Sequence, residues 1–197
     1  MLRRISSLLL LLCAVLIPYP VSAAPLGALP DLATFKASVV NGDSHALRGV
    51  YVEGLFALPI LQQAPMEPGY VSRVDGTATQ FNMAAQVGVI GLLARAYLSG
   101  QHFFELKAGQ RVDVVYGDGR SATYRVTEVY RYQATAPNSI TSDFMDLDTH
   151  KHLSAANLFS KVYRGSNHVT FQTCIERPGS SSWGRLFVVA EPEATPD

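Results

Sequence analysis

The sequence predicts a mainly β fold, a closed or nearly closed barrel that carries short helices. Three observations predict it. Most apolar stretches alternate with polar residues as strands do, turn signals containing glycine or proline recur along the chain, and only one stretch has a convincing helical pattern. Many strands separated by frequent turns are typical of all-β proteins that close their sheet on itself.

The composition limits the function classes. The chain is 48% hydrophobic and 16% charged, so it can form a packed core and is not disordered. Its 16 basic residues are balanced by 16 acidic ones, which argues against a nucleic-acid partner. We expect one domain, with no nucleic acid bound.

The first residues have the order of a secretory signal. Arg3 and Arg4 precede an apolar run from Leu8 to Ile17, and the small residues Val21-Ser22-Ala23 follow it. The run is shorter than the ~20 residues of a spanning helix, which favours cleavage after Ala23. The alternative is that this segment is not cleaved and tethers the protein to a membrane. We expect export, to the extracellular space or the cell surface.

These features divide the chain into four parts. The expected parts are a signal peptide (1–23), a lead-in segment (24–47), a β-barrel domain (48–192) and a flexible tail (193–197).

Individual elements follow from local patterns, taken here in chain order. The stretch "RGVYVEG" alternates between glycines, and Val87–Ala96 is nearly continuously apolar, so both are predicted strands. "HFFEL" predicts one short helical turn. Gly117-Asp118-Gly119 joins two β-branched runs in a predicted hairpin, where the glycines supply positive φ values. "SAANLFSKVY" predicts a helix that begins after Ser154 as N-cap.

The chain ends in two predicted strands, "HVTFQTCI" and "GRLFVVA", separated by a polar, irregular loop "ERPGSSSW". Cys174 lies near the end of the first strand and Arg185 near the start of the second. Antiparallel pairing would therefore bring the two residues to one end of the sheet and onto one face. A guanidinium beside a thiol favours the thiolate and can hold a developing oxyanion.

Cys174 is the only cysteine that remains once the signal, with Cys13, is removed. A single cysteine in an exported protein has three interpretations: a disulfide bridge between two chains, an inert buried thiol, or a reactive thiol. A small buried cysteine beside a surface arginine is the commoner case. Export weakens it, because an unpaired thiol outside the cell is chemically exposed.

The motif "TFQTC", with Arg185 at the start of the next strand, resembles the sortase family. The similarity extends over the upstream stretch from Val87 to Ala134 and covers roughly residues 49–190. It implies an eight-stranded barrel, no organic cofactor and no metal. It also implies a cysteine transpeptidase or peptidase that cleaves a sorting signal such as Leu-Pro-x-Thr-Gly. The thioacyl-enzyme then passes its acyl group to an amine of the cell wall.

Carried over by position, Cys174 is the nucleophile and Arg185 stabilises the oxyanion. The family's active-site strand ends in Ala-His, whereas here Arg95 follows Ala94. The family histidine protonates the leaving amine, and arginine cannot do so because it stays protonated near neutral pH. His102, seven residues on, is a candidate substitute acid. Because this acid is missing, the alternative interpretation is a pseudoenzyme, namely an inactive binding module for extended peptides or wall polymers.

Other residues allow two interpretations. Thr173 and Trp183 are candidate substrate contacts, although Trp183 could equally cap the barrel edge. Tyr124, Tyr130 and Tyr132 alternate and are expected to pack on one face of a strand. His150 and His152 form a His-x-His pair that we assign to solvated surface rather than to a metal site.

Overall fold

A computed structural model describes residues 29–139 and 141–193, and it is a barrel of β-strands with helices outside and at one end. The helices are α1 (Leu32–Val39), α2 (Asn82–Ala85), the 3₁₀ helix Ser99–Glu105 and α3 (Ala155–Tyr163). The strands are β1 (Leu47–Val52), β2 (Phe56–Gln62), β3 (Ala78–Gln80), β4 (Ile90–Leu93), β5 (Arg111–Tyr116), β6 (Ser121–Ala134), β7 (Phe144–Asp146), β8 (His152–Leu153), β9 (Val169–Arg177) and β10 (Ser180–Pro192).

Eight strands close the barrel. Their order around it is β10-β9-β4-β3-β2-β1-β5-β6, and β6 pairs with β10 to complete the circle. The pairs β2–β3 and β4–β9 are parallel and the others are antiparallel, so the barrel is mixed. Strands β7 and β8 are additional and extend the sheet from β6. The predicted mainly β, closed eight-stranded barrel with short helices is confirmed.

The barrel interior is filled from alternating strand positions. On β9, Val169 and Phe171 face the interior cluster, as Leu186 and Val188 do from β10. The intervening β9 residues Thr170 and Gln172 face outward. There both contact α3. The hydroxyl of Thr170 donates to the carbonyl of Val162, and the side-chain carbonyl of Gln172 accepts from the hydroxyl of Tyr163.

The 3₁₀ helix closes one end of the barrel. Phe103 of this helix lies 5.0 Å from Phe171, measured between ring centroids, and 6.0 Å from Phe56. Edge-on contacts of this kind stabilise aromatic pairs beyond the area that they bury. The predicted helical turn at "HFFEL" therefore contributes to the core.

An irregularity in β6 changes which face its tyrosines occupy. Ala190 of β10 pairs with Val126 and Val189 pairs with Glu128, so Thr127 is an extra residue in β6. Such a bulge moves the side chains beyond it to the other face. Tyr124 packs in the barrel interior, whereas Tyr132 packs outside it with α3. The prediction that the tyrosines share one face is wrong for this reason.

The two longer α-helices begin at side-chain caps. Ser154 accepts a hydrogen bond from the backbone N–H of Asn157 and starts α3, as predicted. Asp31 caps α1 in the same way through Thr34. Helix α1 lies in the described part of the predicted lead-in segment, and Phe35 and Val39 bury against β1 and β5. That segment is therefore packed on the barrel.

Two local expectations need correction. The stretch "ERPGSSSW" is not an irregular loop: β9 continues to Arg177 and β10 starts at Ser180, with a tight turn between them. The polar residues there belong to a hairpin whose register shifts between Ser180 and Gly184. In the Gly117-Asp118-Gly119 turn only Gly119 has a positive φ, of 85°.

Several expectations concern residues outside those described. The predicted signal peptide (1–23) and all but the first residue of the predicted tail (193–197) lie there. Of the helices formed by residues 29–139 and 141–193, none combines the length and the apolar character needed to cross a membrane.

Candidate active site

Cys174 and Arg185 lie directly opposite each other in the β9–β10 ladder. Residues paired in this way share a face of the sheet, with Cβ atoms about 5 Å apart. The neighbouring pair, Thr173 and Leu186, is 2% and 1% exposed and faces the interior. Cys174 and Arg185 therefore face outward, and both are half-buried.

The hairpin geometry that produces this pairing depends on Gly184. This residue pairs with Ile175 one step beyond the Cys174–Arg185 pair. A Cβ at position 184 would clash with the carbonyl oxygen of Tyr132 and would lie 3.3 Å from the Cβ of Ile175. Glycine is therefore required for the close approach of β6, β10 and β9 beside Cys174.

The guanidinium of Arg185 is held along its own strand. Its Nη1 donates to the carbonyl of Ser182 at 3.0 Å and to that of Gly184 at 2.8 Å. Both acceptors are backbone carbonyls rather than carboxylates. These contacts therefore do not neutralise the positive charge of Arg185, which pairs with Cys174 across the ladder.

The outward-facing row continues from Arg185 onto β6. Arg185 pairs with Tyr132 on the side opposite Cys174. The hydroxyl of Tyr132 accepts a hydrogen bond of 2.9 Å from the ammonium group of Lys161, which also lies 3.9 Å above the ring of Tyr130. Burial opposes the charge on Lys161, but the hydrogen bond to Tyr132 and the charge interactions with Tyr132, Tyr130 and Asp146 together outweigh it and raise the pKa of Lys161. Beyond Tyr132 the row continues to the buried Asp146, whose charge also interacts with Lys161.

Arg95 follows β4, the strand that flanks β9 on the side opposite β10. The parallel register pairs Leu93 with Gln172, and the N–H of Ala94 donates to the carbonyl of Gln172 at 3.2 Å. Continued by two residues, this register leads to Arg95 and Cys174. Arg95 is half-buried, and its Nε donates to the carbonyl of Val71 at 3.3 Å.

The folded chain is similar to solved sortases. It aligns with sortase C-1 from Actinomyces oris at a TM-score of 0.50 and 13% identity, over 85% of this chain and 83% of that one. It aligns with sortase A from Corynebacterium diphtheriae at 0.51 and 11% identity, over 78% and 63%. The chain has the sortase fold. No protein-family model matches its sequence, and no curated protein is significantly similar to it.

On this sortase fold, Thr173 faces away from the surface on which Cys174 opens. Its hydroxyl donates to the carbonyl of Ala94 at 2.9 Å inside the barrel wall. The structure does not support the predicted substrate contact of Thr173, because the side chain is buried and its hydroxyl is already engaged. Thr173 instead fastens β9 to the end of β4, next to Arg95.

His102 lies on the 3₁₀ helix at the barrel end. Its Nδ1 lies 3.2 Å from a carboxylate oxygen of Glu105, and its ring lies 6.5 Å from that of Phe56, between centroids. Phe56 belongs to the barrel interior, whereas Cys174 faces outward. No contact recorded in the described residues supports the predicted role of His102 as substitute acid.

The remaining histidines are placed as follows. His168 is buried at the start of β9, with its ring nitrogens against the carbonyls of Ser166 and Val162. His152 pairs with Met145 in the additional β7–β8 ladder, and His150 is an exposed turn residue with a φ of 58°. Within residues 29–139 and 141–193, no cluster of three or more potential metal-ligating side chains is found.

Trp183 stands on the hairpin next to the candidate site. The guanidinium carbon of Arg177 lies 4.1 Å from the centre of its ring, in a cation–π contact. Trp183 is half-buried and two residues before Arg185. This position is compatible with the wall of a groove beside Cys174.

Two cavities of the described residues lie away from Cys174. One of about 240 Å³ is lined by Asp31, Tyr51, Glu53 and Arg111, among others, on the β1 and β5 side of the barrel. Neither of the two cavities described is lined by Cys174 or Arg185.

Sequence reasoning missed the contribution of Lys161 and Tyr132. They are 29 residues apart and lie on different elements, so no spacing rule connects them. The bulge at Thr127 that brings Tyr132 outward also leaves no clear pattern in the sequence.

Proposed function

We propose that this chain is an exported, sortase-type cysteine transpeptidase or peptidase with Cys174 as its nucleophile. The observation that carries the proposal is the direct pairing of Cys174 with Arg185 on the outward face of the barrel. The fold and the sequence resemblance support the same conclusion. The predicted signal at residues 1–23 supports export, with membrane tethering if that segment is retained.

In the proposed reaction the Cys174 sulfur attacks a peptide carbonyl of a sorting signal. A carbon–sulfur bond forms, and the developing oxyanion is stabilised by the guanidinium of Arg185. The carbon–nitrogen bond then breaks, and the proton given up by the thiol reaches the leaving amine by way of water. An amine acceptor of the cell wall, or water, next takes the acyl group and restores the thiol.

The proton transfers are the weak steps of this scheme. Arg95 stands where the sequence resemblance implies a histidine, and a guanidinium does not release its proton near neutral pH. We therefore expect acylation to be slow and the thioacyl-enzyme to persist. No cofactor takes part.

Intact-protein mass spectrometry tests the proposal. The full chain carrying Cys13→Ser, so that Cys174 is its sole thiol, is incubated with Leu-Pro-x-Thr-Gly peptides and with a library of extended peptides. The expected result is an acyl adduct that hydroxylamine removes and that is absent from Cys174→Ala. A complete absence of adducts, together with cleavage of none of the peptides, would exclude the enzyme.

A second candidate function is a peptide- or polymer-binding module without turnover. One observation favours it: none of the five histidines is recorded in contact with Cys174 in the part of the chain that the structure describes. This function predicts peptide binding that survives Cys174→Ala and is not followed by cleavage. A disulfide-linked dimer through Cys174, the third interpretation of the thiol, would be visible on non-reducing gels of secreted protein.

A further inference from the structure

Two arginines that flank Cys174 in the strand register form no ion pair with a carboxylate. In residues 29–139 and 141–193 four ion pairs form, and they join His102 to Glu105, Arg111 to Asp113, Arg120 to Asp118 and Arg125 to Glu193. Neither Arg95 nor Arg185 belongs to any of them, although both are half-buried. In the β10 ladder and in the continued register of β4, these two arginines occupy the positions on either side of Cys174.

Both guanidinium groups retain free donors. Arg95 uses only its Nε in a hydrogen bond, and Arg185 uses only its Nη1. No buried side-chain nitrogen of the described residues lacks a partner, so the unused N–H groups of both arginines reach solvent. They are available to a ligand that enters the groove.

The acidic residues nearest in the chain do not neutralise these cations. Asp75, in the same loop as Val71, accepts hydrogen bonds from the N–H of Gly76 and the hydroxyl of Ser99. Glu176 follows Cys174 by two residues on β9 and is exposed. Neither carboxylate lies within 4.0 Å of a guanidinium nitrogen. Asp146, which pairs with Tyr132, offsets the charge of Lys161 and forms no ion pair with either arginine.

We infer that the acyl donor is an acidic peptide, whose carboxylate side chain next to the attacked carbonyl is bound by Arg95. This inference rests on the proposed function and names its substrate class. A planar guanidinium with two free N–H groups matches a carboxylate in a bidentate geometry. Arg95 then binds the carboxylate of the substrate, while Arg185, on the other side of the sulfur, stabilises the oxyanion.

Alkylation by two reagents that differ in charge tests the anion preference without a peptide. The full chain carrying Cys13→Ser is treated with iodoacetate or with iodoacetamide, and the ratio of the two rates is measured. Both reagents attack the same thiolate, so the ratio cancels the thiolate fraction and reports the local charge. We expect a ratio about 3- to 10-fold above that of N-acetylcysteinamide, with Arg95→Gln removing most of the excess and added salt reducing it.

Arg48→Gln is the matched control. Arg48 is also half-buried, and its Nε also donates to one backbone carbonyl, that of Val39 at 3.5 Å, but it lies on β1 across the barrel. The Arg48→Gln variant should leave the iodoacetate-to-iodoacetamide rate ratio unchanged. Circular dichroism and thermal unfolding of each variant confirm that it is folded. A wild-type ratio equal to that of N-acetylcysteinamide, or one unaffected by Arg95→Gln, overturns the inference.

Peptide pairs then test the substrate class. Peptides that differ only by Asp against Asn beside the attacked residue are compared for adduct formation and for binding to the Cys174→Ala variant. We expect the Asp peptide to be favoured about tenfold, and the preference to be lost in Arg95→Gln. Equal acylation by both peptides would overturn the inference and leave the proposed function standing. If neither peptide acylates Cys174, the proposed function fails, and binding to Cys174→Ala still decides the preference.

Discussion

The hydroxyl of Thr173 donates a hydrogen bond of 2.9 Å to the carbonyl of Ala94, across the parallel β4–β9 pair. Thr173 immediately precedes Cys174, and Ala94 immediately precedes Arg95. Beyond Leu93 the register continues through this side-chain bond and through one backbone bond, from the N–H of Ala94 to the carbonyl of Gln172. The position of Arg95 relative to Cys174 depends on both bonds.

Thr173→Val should therefore affect both stability and the site. The substitution keeps the shape but leaves the buried carbonyl of Ala94 without this donor, at a cost of about 1–3 kcal/mol in the free energy of unfolding. We also expect the iodoacetate-to-iodoacetamide ratio of Cys174 to change. Denaturant unfolding and alkylation rates measure the two effects. Thr170→Val, which removes a comparable bond of 2.6 Å to Val162 farther along β9, should lower stability and leave the ratio unaltered.

Arg95→His should restore a proton donor beside Cys174. A positioned general acid contributes about 100-fold or more to rate, so peptide release and acyl transfer should accelerate by about that factor. The comparison is with Arg95→Gln, which removes the charge without adding an acid. Chromatographic assay of released amine and transferred acyl product measures the effect. Equal rates for the two variants would show that a missing acid does not limit turnover.

Gly184→Ala should destabilise the hairpin that carries the site. The new methyl group would clash with the backbone carbonyl of Tyr132, which cannot move without disturbing the β6–β10 ladder. We expect a loss of about 1–3 kcal/mol in the free energy of unfolding, with reduced acylation of Cys174. Gly69→Ala is the control, because nothing lies within 4 Å of its added Cβ and its φ is not positive. That variant should be neutral or slightly stabilising in the same unfolding measurement.

Acid should weaken the fold in part through Asp146. Burial raises the pKa of this carboxyl, but hydrogen bonds from the N–H groups of Thr149 and Asp148 lower it more, so that its pKa is below the ordinary value. A depressed pKa contributes stability that is present above the unfolded value of about 4 and is lost as pH falls through the folded pKa. Asp146→Asn should remove this part of the acid dependence, as measured by unfolding between neutral and acidic pH. Asp148→Asn, at an exposed position, should retain it.

The closed mainly β barrel, its hairpins and the capped helix α3 were predictable from the sequence, because they depend on local patterns. Alternation marks strands, and Ser154 marks a helix start. Two successive antiparallel strands bring Cys174 and Arg185 to one end of the sheet, although the loop predicted between them is a tight turn. The order of residues alone also shows that Arg95 follows Ala94, where the sequence resemblance implies a histidine.

Only the tertiary structure decided which side chains from elements distant in the sequence contact one another. The extra residue Thr127 turns Tyr132 outward to meet Lys161, and the inward rotation of Thr173 removes it from the groove. The lack of carboxylate partners for Arg95 and Arg185 emerges only once the charged side chains of the described residues are placed. A one-residue shift in a strand reverses every later side chain, and charge pairing depends on distance through space, so neither is encoded in local periodicity.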